Sequence, residues 1–191
     1  MKARTRYYDA AADDPRETLL EAVGRFADPG VAIDLGCGTG RDTFELLRRG
    51  WHVTAIDSQP EALRRLVEKV GPDDRRVLET QVASYHDAVL PPCDLVNASW
   101  SLPFCAPEPF NGIWTRIEES LRPGGRFCGQ LFGDRDGWAP ADDITFLTRH
   151  EAERLLDRFE VERFDEVEKD SQTAVGDPKH WHVYHVVARK P

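Results

Sequence analysis

The segment Val31-Ala32-Ile33-Asp34-Leu35-Gly36-Cys37-Gly38-Thr39-Gly40 sets the tightest limit on how this chain folds. Its first five residues are an apolar run of strand length, and the glycines behind them force a sharp turn. Asp42 to Arg49 then places Phe44 and Leu47 on one helical face before Gly50 stops the helix. Strand, glycine loop and helix in that order form half of a βα unit, which pairs stably within an open sheet of parallel strands.

The rest of the chain continues the alternation. Glu17 to Phe26 carries Leu19, Leu20, Val23 and Phe26 at helical spacing, and Asp28-Pro29-Gly30 ends it. Strands are expected at Trp51–Ile56, Val77–Val82, Asp94–Ala98, Phe127–Phe132, Val161–Val167 and Trp181–Ala188. Helical stripes fall at Leu63 to Val70, Phe110 to Leu121 and Ala152 to Phe159. Two Ser/Thr-x-x-Glu patterns, at Ser58 and Thr148, predict capping boxes. No helix separates the last two strands, so a turn near Gly176-Asp177-Pro178 makes them a hairpin. The expected fold is α/β, a doubly wound and mostly parallel seven-stranded sheet with helices on both faces and an antiparallel C-terminal strand.

At 191 residues there is enough chain for one good core and too little for two ordinary domains, so residues 1–191 are expected to form one domain. The formal charge of −9 argues against a phosphate-tracking nucleic-acid surface and favours a small-molecule partner. Met1 to Arg6 has no apolar run behind it, and no stretch reaches the length of a membrane span; the expectation is a cytoplasmic protein. Cys37, Cys93, Cys105 and Cys128 are widely spaced, and the histidines lack a HExxH arrangement, so no metal is expected. Monomer is the default oligomeric state.

In an open α/β sheet, ligands bind at the carboxyl ends of the strands. Gly36, Gly38 and Gly40 lie at such an end, where bare backbone lets a ligand approach and the next helix opens with amides that favour negative charge. A dinucleotide loop reads G-x-G-x-x-G, but Arg41 stands where its third glycine belongs. The second strand runs into Asp57, where a carboxylate meets the two hydroxyls of a ribose.

These features, with Leu121-Arg122-Pro123-Gly124-Gly125 before the fifth strand, resemble the class I S-adenosylmethionine-dependent methyltransferases, a Rossmann-like fold. The resemblance runs from Val31 to the C-terminus. Within the class the chain looks most like the small tellurite-resistance and thiopurine-type methyltransferases, on its size and on Phe146-Leu147-Thr148 with its helix.

The resemblance implies S-adenosyl-L-methionine as cofactor, with Gly36, Cys37, Gly38 and Gly40 against its methionine part and Asp34 at its amino group. Asp57 takes the ribose, and Ile56 or Ser58 beside it meets the adenine. Many relatives have an acid after the third strand, where this chain has Ser84-Tyr85; Ser84 is then the candidate hydrogen-bonding partner. Residues 1–28 become an N-terminal helix and lid, with Tyr7 and Tyr8 over the cofactor and Arg16 at its carboxylate.

The fourth strand leads into Asn97-Ala98-Ser99-Trp100, beside the transferring methyl. Ser99 is a cofactor-side candidate, and the Trp100 face attracts a sulfonium or the substrate. Because the last strand is antiparallel, its beginning lies at the active-site rim, which brings Lys179, His180, Trp181 and His182 there. Trp100, His180 and His182 are the catalytic candidates, either histidine as a base near neutrality. Asp136 and Trp138 are further rim candidates. The expected reaction is in-line methyl transfer to a small-molecule acceptor, with a thiol or chalcogen nucleophile among the options. The rivals are a non-catalytic module that binds the cofactor and an NAD-dependent oxidoreductase.

Overall fold

The structure is a computed structural model in which residues 14–191 are described. Tyr7, Tyr8 and the rest of residues 1–13 of the expected helix and lid lie outside that range. The chain runs α1 (Glu17–Val23), β1 (Val31–Leu35), α2 (Arg41–Arg48), β2 (His52–Asp57), α3 (Pro60–Lys69), β3 (Leu78–Val82) and β4 (Cys93–Ala98). It continues through α4 (Pro107–Ser120), β5 (Leu121–Gly133), β6 (Phe146–Leu147), α5 (Arg149–Leu155), β7 (Glu160–Gln172) and β8 (Pro178–Arg189).

The strands lie in the order β3-β2-β1-β4-β5-β8-β7, with the two-residue β6 added along the end of β5. All pairs are parallel except those made by β8, which runs antiparallel to both β5 and β7. Strand order reverses between β1 and β4, and that reversal opens a crevice at their carboxyl ends.

Alternation along each strand divides the core into two layers. Ala32, Leu95, Cys128 and Val187 face α1, α2 and α3 with Leu19, Leu46 and Leu66. Ile33, Val96, Phe127 and Val186 face the other way, onto Phe110, Ile113, Trp114 and Ile117 of α4 and Leu156 after α5. Trp114 joins α4 to the end of α5 by donating its indole N–H to the Leu155 carbonyl (3.1 Å). All four cysteines are buried and free.

Two local expectations change. Leu121 opens β5 instead of closing the preceding helix, so Arg122-Pro123-Gly124-Gly125 lies within the strand segment, where the β4 register shifts between Cys93 and Leu95. The Ser58 capping box does not form: Gln59 is the N-cap, and its N–H goes to Asp57 Oδ1 (2.8 Å). Glu61 instead meets Arg64 and Arg65 one turn further on.

Candidate active site

The carboxyl ends of β1 to β4 and the loop between β5 and β6 enclose a cleft of about 740 Å³. One half is lined by Gly36, Gly38, Asp57, Ser58, Ser84 and Tyr85, the other by Trp100, Phe104, Trp138, Ala141, Asp143 and Ile144.

The glycine loop is built against β2. Gly36 and Cys37 both donate their N–H to the Ile56 carbonyl, at 2.7 and 3.0 Å. Gly36 has φ +76°, and a Cβ there would lie 2.3 Å from Ser101 Cβ. Gly38 lines the cleft at φ +55°, so a ligand meets bare backbone there. Asp57 Oδ2 accepts the Gly38 N–H at 2.9 Å while its Oδ1 holds Gln59, which fixes the carboxylate at the cleft wall.

Beneath the loop lies a buried polar cluster. The β1–β4 register sets Asp34 opposite Asn97. Asn97 Nδ2 donates to Asp34 Oδ1 (2.9 Å) and to Asp42 Oδ2 (3.0 Å), and Thr43 Oγ1 donates to Asp34 Oδ2 (2.5 Å). Burial pushes the Asp34 carboxyl up to about 7; neighbouring Asp42 adds to this, and the Thr43 and Asn97 hydrogen bonds restrain it. Ser99 Oγ donates to Asn97 Oδ1 (2.7 Å), which makes Ser99 part of this cluster. Asp42 Oδ1 accepts the Arg16 N–H (2.9 Å), and the Arg16 guanidinium lies 5.6 Å from the Trp100 ring. Burial, with Arg41 nearby, lowers the Arg16 pKa to about 10, and Asp42 opposes the drop.

Trp100 has φ +53°, a strained conformation for a bulky residue. Gln130 holds it there, accepting the Trp100 N–H at 2.8 Å through Oε1 while Nε2 donates to Thr18 of α1 (3.0 Å). The sequence singled out Trp100 but gave no sign of Gln130, a polar residue inside an apolar strand. Tyr85 donates its hydroxyl to the Ser101 carbonyl (2.5 Å), closing the cleft over Gly36. Ser84 Oγ donates to Asp87 (2.7 Å), so an acid does stand near this end of β3, three residues later than Ser84.

The named residues thus fall into three groups. Gly36, Gly38, Asp57, Ser58, Ser84, Tyr85 and Trp100 line the cleft. Asp34, Ser99 and Arg16 stand around the buried cluster, while Gly40 caps α2 and the buried Cys37 thiol, which desolvation pushes well up, donates to the Gly38 carbonyl. His180 and His182 lie outside the cleft lining. The start of β8 does reach the rim, but alternation along that strand sends Lys179 and Trp181 toward the Trp100 side and the histidines the other way. His180 meets Asp170 and Glu168; fully buried His182 sits 2.9 Å from Glu166 and takes the Arg135 N–H on Nδ1 (3.1 Å). Phe104, Ala141, Asp143 and Ile144 were absent from the sequence candidates, because loop residues carry no periodicity.

A reversed strand order, a left-handed glycine loop after β1 and a carboxylate after β2 define the class: a Rossmann-like domain of the S-adenosylmethionine-dependent methyltransferase kind. Residues 32–125, just under half of the chain, match the family described as a methyltransferase domain. The carboxy-S-adenosyl-L-methionine synthase of Pseudomonas aeruginosa (strain UCBPP-PA14) is 29% identical over 145 residues, 69% of this chain and 58% of that protein. The chain spans about half the length of the curated relatives it matches. TehB from Haemophilus influenzae has the same fold at TM-score 0.78 and 19% identity, over 92% of this chain and 62% of that one. The 1,6-didemethyltoxoflavin-N1-methyltransferase of Burkholderia thailandensis, solved with its substrate and S-adenosylhomocysteine, gives TM-score 0.74 and 24% identity, over 99% and 82%.

Proposed function

We propose that this chain transfers a methyl group from S-adenosyl-L-methionine to a small-molecule acceptor by in-line displacement. The observation that carries the reading is the two-part cleft: Asp57 and the glycine loop at one end, and an aromatic wall led by Trp100 at the other. Bound there, S-adenosylmethionine supplies a methyl already activated on a sulfonium. Asp57 binds the ribose hydroxyls, and Gly36 and Gly38 leave room for the methionine part. Asp34 and Arg16 receive its amino and carboxylate ends. Trp100 faces the sulfonium side and excludes water. A soft sulfur or chalcogen nucleophile that attacks in its neutral form, losing any proton to solvent afterwards, needs no base, which suits a cleft that neither His180 nor His182 lines.

A single domain over residues 1–191, working as a monomer in the cytoplasm, completes the reading; no helix of the described residues is long and apolar enough to cross a membrane. The product of the carboxy-S-adenosyl-L-methionine synthases among the curated relatives, by name, carries an added carboxylate. Among the described residues the charged side chains lining this cleft are Asp57 and Asp143, a poor setting for that group.

Transfer of labelled methyl from the cofactor to pooled thiols, phenols, amines, chalcogen oxyanions and acidic metabolites tests the proposal, alongside thermal shift with S-adenosylhomocysteine and NADH. Stabilisation by S-adenosylhomocysteine with transfer to one pool is expected. Binding without transfer to any pool indicates the sensing module, and stabilisation by NADH alone the oxidoreductase.

A further inference from the structure

The acceptor half of the cleft has an unusual backing. Behind Trp138, the Lys179 side chain is 1% exposed and the Asp136 side chain fully enclosed, and Lys179 Nζ donates to Asp136 Oδ1. The same ammonium sits 3.8 Å from the centre of the Trp181 ring, 4.1 Å from that of Trp138 and 5.1 Å from that of Phe132. Its charge is therefore met on one side by a carboxylate and on three others by the negative faces of aromatic rings.

Asp136 also anchors the loop. Its Oδ1 accepts the Trp138 N–H (3.0 Å) and its Oδ2 the His182 N–H (3.2 Å), which ties the segment after β5 to the start of β8. The rings continue toward the cleft: Trp181 meets Trp138 at 5.6 Å and Trp100 at 5.2 Å, and Phe104 meets Trp138 at 6.0 Å. At the rim, the exposed Asp143 carboxylate makes no hydrogen bond or ion pair with the described residues.

We infer that the acceptor half takes a flat ring system, uncharged or cationic, and turns anions away, with the Lys179–Asp136 pair acting as a positioning device behind the wall. This rests on the cofactor reading above. The physical reason is that the cation nearest this wall is already neutralised. Drawing Lys179 into the cleft would leave the Asp136 carboxylate buried without its counter-ion, a cost that a solvated anion does not offset. The surfaces an acceptor does meet are ring faces and the Asp143 carboxylate, which favour a cation or a neutral plane over an anion. Burial lowers the Lys179 pKa and Asp136 opposes the drop, as expected for a cation held by its partner and cut off from water. Among the described residues Arg16, 5.6 Å from the Trp100 ring, is a further cation near this wall, and it is assigned here to the cofactor carboxylate.

The test is calorimetric titration of the S-adenosylhomocysteine-loaded protein with three probes of similar shape: quinoline, N-methylquinolinium and naphthoate. Quinoline or N-methylquinolinium should bind at least about tenfold more tightly than naphthoate. Trp138→Ala should weaken that binding about tenfold and Trp138→Phe restore most of it, with S-adenosylhomocysteine affinity changed less than about twofold. Replacing the pair together, Lys179→Met with Asp136→Leu, avoids an unpaired buried charge. This double variant should loosen ring binding about fivefold, keep cofactor-product affinity and leave naphthoate no tighter. Naphthoate binding as tightly as quinoline and lost in Lys179→Met or Arg16→Gln overturns the inference, as does failure of all three probes to bind the loaded protein. Failure of S-adenosylhomocysteine itself to bind removes the cofactor reading instead.

Discussion

At Asp57 both carboxylate oxygens accept a backbone N–H, from Gly38 and from Gln59. An amide cannot reproduce this, since one of its two heteroatoms is a donor and would face another donor. Asp57→Asn should therefore disturb the loop and, on the proposed role of Asp57, ribose binding together. Losing one charge-assisted bond is worth about 1.5–3 kcal/mol, so S-adenosylhomocysteine affinity should fall roughly ten- to hundredfold by titration calorimetry. Gly36 makes a second, steric prediction. With φ +76° and only 2.3 Å between an added Cβ and Ser101 Cβ, Gly36→Ala meets backbone strain and a clash at once. Loss of about 2–4 kcal/mol in urea unfolding is expected, and a change under about half a kcal/mol, as at an ordinary surface site, would show that the loop has another conformation. The glycines and Asp57 were legible because their spacing is fixed by local backbone geometry. Gln130 and Asp143 were not, because a hydrogen bond across strands or a place on a loop wall leaves no period in the sequence.

Two identical capping patterns had opposite outcomes. Thr148-x-x-Glu151 forms a complete box: Glu151 N donates to Thr148 Oγ1 (3.3 Å) and Thr148 N to Glu151 Oε2 (2.8 Å). At Ser58 the strand has already supplied an acceptor in Asp57, and Pro60 starts α3 one residue later than the pattern implies. Local sequence could not separate them, since the difference is the side chain that ends the preceding strand. Thr148→Ala should then cost about 1 kcal/mol in unfolding free energy, whereas Ser58→Ala should cost a few tenths at most. Equal costs at both positions would contradict the assignment. The start of β8 shows the same limit at the next scale: its place at the rim followed from topology. Which of Lys179, His180, Trp181 and His182 faces the acceptor depended on strand phase, and phase was set by pairing with β5 and β7.

The order of strands, the two helical layers and the hairpin ending were readable along the chain because each rests on periodicity and connection rules. The electrostatic behaviour of the assembled molecule was not, because it depends on burial. Asp34 binds its proton more tightly in the folded state, with a pKa raised to about 7 by desolvation and then by Asp42. A raised carboxyl favours the fold most below the unfolded pKa, and that contribution is lost as pH rises through about 7. His180, raised by Asp170 and Glu168, acts in the same direction, while His185, lowered by burial, favours the fold more as pH rises past its ordinary range. Glu45, Glu61 and Glu168 have the opposite profile to Asp34: each is lowered to about 2, chiefly by arginine hydrogen bonds. Their contribution is present above the ordinary glutamate range and is lost as pH falls toward 2. Thermal stability should therefore peak in mildly acid solution and decline toward alkaline pH, with a Tm drop of about 3–8 °C between about pH 5 and about pH 8. Asp34→Asn removes the titrating group; it sacrifices one of the two hydrogen bonds from Thr43 and Asn97 and lowers Tm throughout, but should flatten that decline. A slope unchanged by Asp34→Asn would move its origin to the histidines. Ligand binding should run the other way, since on the proposed role of Asp34 its ionised form attracts the ammonium of S-adenosylhomocysteine. Its affinity should rise over the same interval in the wild-type chain and stay level in Asp34→Asn.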